Sequence, residues 1–215
     1  MALAPRHRIP LASLAVALAA LALSGISPAD RPTWWMEVAP VLIAIPILFF
    51  TYRRFPFTGL VYLCLAVHAV VLCTGGHYTY AEVPLGFWMR DAFGLARNHY
   101  DRIGHLAQGF VPALVAREVV LRTTPLRPGK MLFFLVTCVC LAASAAYELI
   151  EWRASVALGQ SADAFLGTQG DPWDSQWDMS MALLGALAAQ LLLGRLQDRQ
   201  IDSMASAGAG SAKAA

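Results

Sequence analysis

The stretch MLFFLVTCVCLAASAAYELIEW, Met131–Trp152, decides the fold class of this chain. It has no charged residue between Lys130 and Glu148, and its side chains are almost all apolar up to that point. A helix that crosses a bilayer needs roughly 20 mostly apolar residues, and this run supplies them. The stretch therefore predicts a transmembrane helix with two acids, Glu148 and Glu151, near one end.

Five further runs of this kind lie along the chain, at Ile9–Ile26, Val38–Tyr52, Thr58–Gly75, Ile103–Leu121 and Trp173–Leu196. The composition agrees, since 58% of residues are hydrophobic and 14% are charged, against roughly 25% charged in soluble domains. The sequence thus predicts an all-α, polytopic membrane bundle of about six transmembrane helices. Residues 1–202 form one domain in this interpretation, and the Ala-, Gly- and Ser-rich residues 203–215 form a disordered cytoplasmic tail.

The basic residues predict the orientation of the bundle. If there are six spans, most Arg and Lys residues of the short loops fall on one side, which is expected to be cytoplasmic. Both termini are then cytoplasmic, and all six Trp residues fall on the outer side. The first run also fits a signal peptide, with Arg6 and Arg8 before an apolar core, so its cleavage stays open.

The outer segments contain signals for short helices and for the start of the last span. Apolar residues at Leu85, Trp88, Met89 and Ala92 follow helical spacing, which predicts a short interfacial helix. Asp171 followed by Pro172 is typical of a helix start. From there Asp174 and Asp178 share a face, which continues as the small residues Ala182, Gly185 and Ala189. Such a stripe lets another helix approach closely.

Acids and a histidine recur at similar depth on three of the predicted helices. Asp101 and His105 are four residues apart, and Glu148 and Glu151 are three apart, so each pair shares a helix face. Asp178 lies on the face just described. Acids inside spans are costly and usually face the bundle interior or a water-filled cavity. The sequence therefore predicts an outer-facing pocket of Asp, His and Glu side chains.

These five residues are the candidate catalytic set. His105 would be a base or a metal ligand, and Asp101 would hold its imidazole in one tautomer. Glu148, Glu151 and Asp178 would be ligands or the acid partner. A divalent metal is the candidate cofactor, held by His105, Glu148 and Asp178, and its identity stays open because such a ligand set suits several metals.

The expected partners are membrane lipids, and the expected substrate is an envelope lipid or a lipid-linked glycan at the outer leaflet. A net charge of +2 gives no reason to expect nucleic acid as a partner.

Two alternatives stay open. One is a non-catalytic binding or transport protein for an ion or a lipid headgroup. The other is a structural membrane protein whose acids cap helices and pair with Arg102 and Arg153. The residues alone do not decide whether the chain is an enzyme.

Five long motifs resemble the YjdF family of bacterial inner-membrane proteins, which has no assigned biochemical function. They are WWMEVAP from Trp34, GGHYTY from Gly75, RNHYDRIGH from Arg97, YELIEW from Tyr147 and LGTQGDPWD from Leu166. The resemblance covers about Trp34 to Arg199 and implies an inner-membrane location.

A weaker resemblance is to VanZ-like membrane proteins. Asp101, Arg102 and His105 match their first motif, Glu148 matches their second, and Asp178 with Gly185 matches their third. Glu151, Ala182 and Ala189 depart from the VanZ-like pattern. The resemblance implies that Asp101, His105, Glu148 and Asp178 share one pocket.

Overall fold

The described residues, 5–158 and 169–213 of a computed structural model, form seven α-helices and one short 3-10 helix, with no strand among them. The all-α prediction is confirmed. The helices are α1 (Pro5–Ser24), α2 (Arg31–Thr51), α3 (Gly59–Tyr78), α4 (Pro84–Phe93), α5 (Tyr100–Thr123), α6 (Lys130–Leu158) and α7 (Asp174–Lys213), and the 3-10 helix is Tyr80–Glu82.

Five of these helices, α1, α2, α3, α6 and α7, are long and apolar enough to cross a membrane. Large apolar side chains such as Phe50 and Leu192 are more than 70% exposed, as is expected of a surface that faces lipid. The prediction of a polytopic helical membrane bundle is confirmed.

Helix α5 is the sixth predicted span, and it is more polar than the other five. It packs against α3, α6 and α7, which shield it from lipid, and charged side chains are tolerated in such an interior position. Arg102 near its start pairs with Asp178 of α7, and Arg117 near its end pairs with Asp198 of α7. Because α5 contacts α7 at both ends, the two helices cross the same thickness of the bundle.

Helices α5 and α7 approach so closely that their backbones touch. A Cβ atom added to Gly109 would meet the carbonyl group of Ala182, and one added to Gly185 would meet the carbonyl oxygen of Leu106. Ala182 and Ala189 are fully buried in this contact region. The small-residue stripe predicted on the last helix is therefore a contact surface for α5.

Three boundaries differ from the prediction. Helix α2 begins two turns before Val38, because Asp30 caps it by accepting a hydrogen bond from the Thr33 N–H at 2.8 Å. Helix α7 begins at Asp174 rather than at Pro172, since Asp171 accepts from the Trp173 N–H in a preceding turn. Helix α7 also continues to Lys213, past the predicted end of the last span at Leu196, while the domain bounds 1–202 and the tail 203–215 stay predictions.

All six Trp residues lie at one end of the bundle, here called the tryptophan end. It is formed by the starts of α2, α5 and α7, the ends of α1, α3 and α6, and the short helix α4. The opposite end, here called the basic end, carries the loops at 52–58 and 124–129. Helix α4 is the amphipathic helix predicted for the outer side, and it ends at Phe93, with Gly94 as its C-cap at a φ of 63°.

Candidate functional site

A group of polar side chains, here called the polar cluster, lies inside the bundle at its tryptophan end. Its members come from α2, α5, α6 and α7, and all are buried or half-buried. They are Glu37, Asp101, Arg102, His105, Gln108, Glu148, Glu151, Asp174 and Asp178.

His105 lies at the centre of the polar cluster. Its Nε2 atom is 3.3 Å from Asp101 Oδ1, one turn earlier on α5, and 3.7 Å from Asp178 Oδ1 on α7. Its Nδ1 atom lies 2.7 Å from Gln108 Oε1. Because an amide oxygen can only accept, Nδ1 carries the proton of this hydrogen bond, and Nε2 faces the two aspartates.

Arg102 joins the aspartates of α5 and α7. Its guanidinium donates to Asp101 at 3.2 Å, to Asp174 at 2.7 Å, and to Asp178 in a short contact. Arg97 adds a second cation, with ion pairs of 3.0 Å to Asp174 and 2.8 Å to Asp171. Buried charges need such partners, and these two arginines hold the start of α7 against the start of α5.

Helix α6 supplies Glu148 and Glu151, whose spacing of three residues places both on the face toward α5. Glu148 is 8% exposed, and its Oε1 lies 3.8 Å from His105 Nδ1 without accepting a hydrogen bond. Glu151 is equally buried and interacts electrostatically with Glu148 and His105. The polar cluster therefore holds more carboxylates than cations.

The structure brings all five predicted site residues, Asp101, His105, Glu148, Glu151 and Asp178, into the polar cluster. Their roles stay predictions. The predicted metal ligands, His105, Glu148 and Asp178, differ from the compact set in the structure, which is Asp101, His105 and Asp178, with ligand atoms within 4.8 Å of one another. Asp101 takes the place of Glu148 because Asp101 and Asp178 both face Nε2 of His105, whereas Glu148 lies nearer Nδ1.

Two members of the polar cluster were missed in the sequence. Glu37 lies just before the predicted second span, Val38–Tyr52, but α2 begins two turns before Val38 and places Glu37 inside the bundle, 4% exposed. There it interacts electrostatically with Asp101 and His105. Gln108 could have been found from its spacing, since it follows His105 by three residues on the same helix face.

An apolar groove of about 870 Å³ runs beside the polar cluster, between α2 on one side and α5 and α6 on the other. It begins at the tryptophan end beside Met36 and Tyr147, and it reaches Phe55 at the basic end. Ile43 on its wall is 59% exposed, so the groove is open to the surrounding lipid. The ring of Tyr147 also lies 6.4 Å from the ring of His105, between centroids, so the groove ends next to the polar cluster.

Comparisons with known proteins identify relatives of this chain. Residues 9–199 match the family described as "Predicted membrane protein (DUF2238)". The chain is 55% identical over 181 residues to Inner membrane protein YjdF of Escherichia coli (strain K12), which covers 84% of this chain and 87% of that protein. No solved structure matches the chain. With its apolar helices, this similarity supports the predicted inner-membrane location, whereas the VanZ-like resemblance stays a prediction. The chain belongs to the DUF2238 family of membrane proteins.

Proposed function

We propose that the polar cluster acts on the polar head of an envelope lipid or a lipid-linked glycan at the outer leaflet of the inner membrane. The observation that carries this proposal is the position of the apolar groove, which opens to lipid and ends at Tyr147 beside His105. A substrate with an apolar chain and a polar head would place its chain in the groove and its head at the polar cluster.

The groove has the properties that an acyl or isoprenoid chain needs. Its walls are formed mainly by aliphatic side chains of α2, α5 and α6, including Ile47, Val119 and Ile150. Burying such a chain is favourable by about 25 cal/mol for each Å² of apolar surface removed from water. Within the bilayer the gain is smaller, so the groove would orient the lipid more than retain it.

The polar cluster has the groups that acid–base chemistry needs. His105 is the base or a metal ligand, and Asp101 orients its imidazole. Glu148, Glu151 and Asp178 supply further ligands or the acid partner. Burial among the helices excludes bulk water, which strengthens every electrostatic interaction with a bound head group.

The proposal includes an orientation, with the tryptophan end outside and both termini in the cytoplasm. It rests on the basic residues of the short loops, such as Arg53, Arg127 and Lys130 at the basic end. In this orientation the polar cluster and the nearby end of the groove face the outer leaflet, where envelope lipids and lipid-linked glycans are used.

The test is a lipid-conversion assay with the full chain in proteoliposomes made from total inner-membrane lipids of the expression host. Mass spectrometry should show one lipid species decreasing with time and a product appearing. His105→Asn should reduce this conversion by roughly 100-fold or more, as is usual when a general acid–base group is lost. Asp91→Asn, an exposed acid on α4, is the matched control and should keep full conversion.

A groove variant separates chain binding from head-group chemistry. Ala39→Trp fills the groove from α2 and should reduce conversion, whereas Leu192→Trp on the lipid-facing surface of α7 should not. If the wild-type protein co-purifies with a lipid but changes none, it is a binding protein, the alternative considered above. If it neither binds nor changes any lipid, the proposal is wrong.

The transport alternative has less support in the described part of the chain. Between His105 and Arg117, helix α5 carries one polar side chain, Gln108, and that is already hydrogen-bonded to His105. A path for an ion needs polar groups along its whole length. Along α5 the polar cluster is therefore a site open at one end. Toward the basic end the other helices add the buried Ser144 of α6 and Gln190 of α7, which donates to Thr137.

A further inference from the structure

We propose that Asp101, His105 and Asp178 bind one divalent transition-metal ion, with Gln108 positioning the imidazole. The inference rests on the site assigned in the proposed function, and it is independent of which lipid is used there. It assigns His105 as a ligand and leaves Glu148 as the base.

The spacing of the ligand atoms suits a metal. Nε2 of His105 lies 3.3 Å from Asp101 Oδ1 and 3.7 Å from Asp178 Oδ1. Ligands that each lie about 2.0–2.2 Å from a zinc ion are themselves about 3–4 Å apart. One imidazole and two carboxylates form a three-ligand set that leaves a coordination position for water or substrate.

The hydrogen bond from His105 to Gln108 prepares the imidazole for a metal. With Nδ1–H donating to Gln108 Oε1, the neutral ring has its lone pair on Nε2. That lone pair faces two carboxylates, which also carry lone pairs, so the arrangement calls for a cation at this position. The cation is either a proton on Nε2, as in an ion pair with Asp101, or a metal ion in its place. Metal-binding histidines commonly donate their second ring nitrogen to such a partner.

Glu148 gives an independent sign that a polar partner is missing from the polar cluster. Its Oε1 is buried, lies 3.8 Å from His105 Nδ1, and accepts no hydrogen bond. A buried carboxylate oxygen without a donor is costly. A water held beside His105 would supply that donor, and Glu148 would be placed to take a proton from it.

Arg102 contacts both aspartates, and on Asp178 it donates to Oδ1, the oxygen that also faces His105. It contacts Asp101 through Oδ2, whereas His105 faces Oδ1 of the same side chain. Its other nitrogen is bonded to Asp174. The two guanidinium groups, of Arg102 and Arg97, are outnumbered by the carboxylates around them, so the remaining negative charge favours a divalent cation. Because a carboxylate oxygen has two lone pairs, Asp178 Oδ1 can accept from Arg102 and still bind the metal.

The test measures metal binding directly. The full chain is purified in detergent without a histidine tag, stripped with a chelator, and equilibrated separately with Zn²⁺ and Mn²⁺. Bound metal is measured by mass spectrometry after desalting. The wild type should retain stoichiometric metal for one of the two ions, whereas His105→Asn and Asp178→Asn should lose it. Gln108→Ala should weaken the affinity about 10–100-fold, as for other residues that orient a ligand.

Control measurements keep the outcome interpretable. Asp91→Asn should bind metal like the wild type, and the thermal unfolding of each stripped variant shows whether it is folded. A wild type without metal, or variants at His105 and Asp178 that both keep it, would overturn the inference. Metal binding without lipid conversion would count only against the proposed function, and lipid conversion that persists after chelation would count only against the metal.

Discussion

Gly109 of α5 lies against the carbonyl group of Ala182 in α7, with no space for a Cβ atom between them. This contact lies one turn below His105 on α5 and one turn below Asp178 on α7. It therefore sets the distance between the two helices that carry most of the polar cluster. A glycine is required there because any side chain would separate the two backbones.

Gly109→Ala is expected to destabilise the protein. Forcing a methyl group into this contact should cost about 1–3 kcal/mol, since overpacking displaces the backbone. The midpoint of thermal unfolding in detergent measures the effect. Gly194→Ala is the matched control, because a Cβ atom there would lie 3.7 Å from its nearest neighbour and the helix gains from losing a glycine. Equal midpoints for the two variants would contradict the proposed role of the contact.

Arg102→Met is expected to be among the most destabilising changes at the tryptophan end. It would leave Asp178 and Asp174 buried with fewer partners, and breaking such a pair costs about 3–5 kcal/mol. Arg90→Met removes an exposed ion pair with Asp91 and should change stability much less, because exposed ion pairs contribute little. Thermal unfolding of both variants against the wild type tests the comparison, which fails if Arg102→Met is as stable as Arg90→Met.

The helices were predictable because their signal is local. A run such as Met131–Trp152 identifies a span without knowledge of any neighbour, and the structure gives Lys130–Leu158 for that helix. Helix α5 was also found, although its charges make it less apolar than a lipid-facing helix. Its tolerance for those charges comes from packing against α3, α6 and α7, which no local pattern describes.

The candidate site was predictable only within each helix. Spacing placed Asp101 with His105 and Glu148 with Glu151, because residues three or four apart share a helix face. The presence of Glu37 in the polar cluster depends on how α2 packs. The sequence pattern left Glu37 outside the second span, because it did not predict the first two turns of α2. The choice between Asp101 and Glu148 as the metal ligand likewise depends on which side of the His105 ring each helix reaches.

Glu118 is expected to matter for stability and not for the chemistry of the polar cluster. Its oxygens accept from the Thr58 N–H at 2.9 Å and the Thr58 hydroxyl at 2.8 Å, and from Arg122 at 2.7 Å, at the basic end. Glu118→Gln replaces one acceptor with a donor, which should cost about 1–3 kcal/mol. Glu82→Gln, on the surface, is the control. Conversion of lipid per folded molecule should be unchanged in both variants, and a specific loss in Glu118→Gln would contradict this separation.

The orientation of the bundle can be tested with two exposed positions at opposite ends. Asp91 lies on α4 at the tryptophan end, and Gly129 lies in the loop before α6 at the basic end. In intact spheroplasts, a maleimide that cannot cross membranes should label Asp91→Cys, and it should label Gly129→Cys only after permeabilisation. The four native cysteines lie within α3 and α6, so the wild-type chain gives the background. The reverse pattern would place the polar cluster on the cytoplasmic side and would exclude action on an outer-leaflet lipid, while leaving the metal site itself intact.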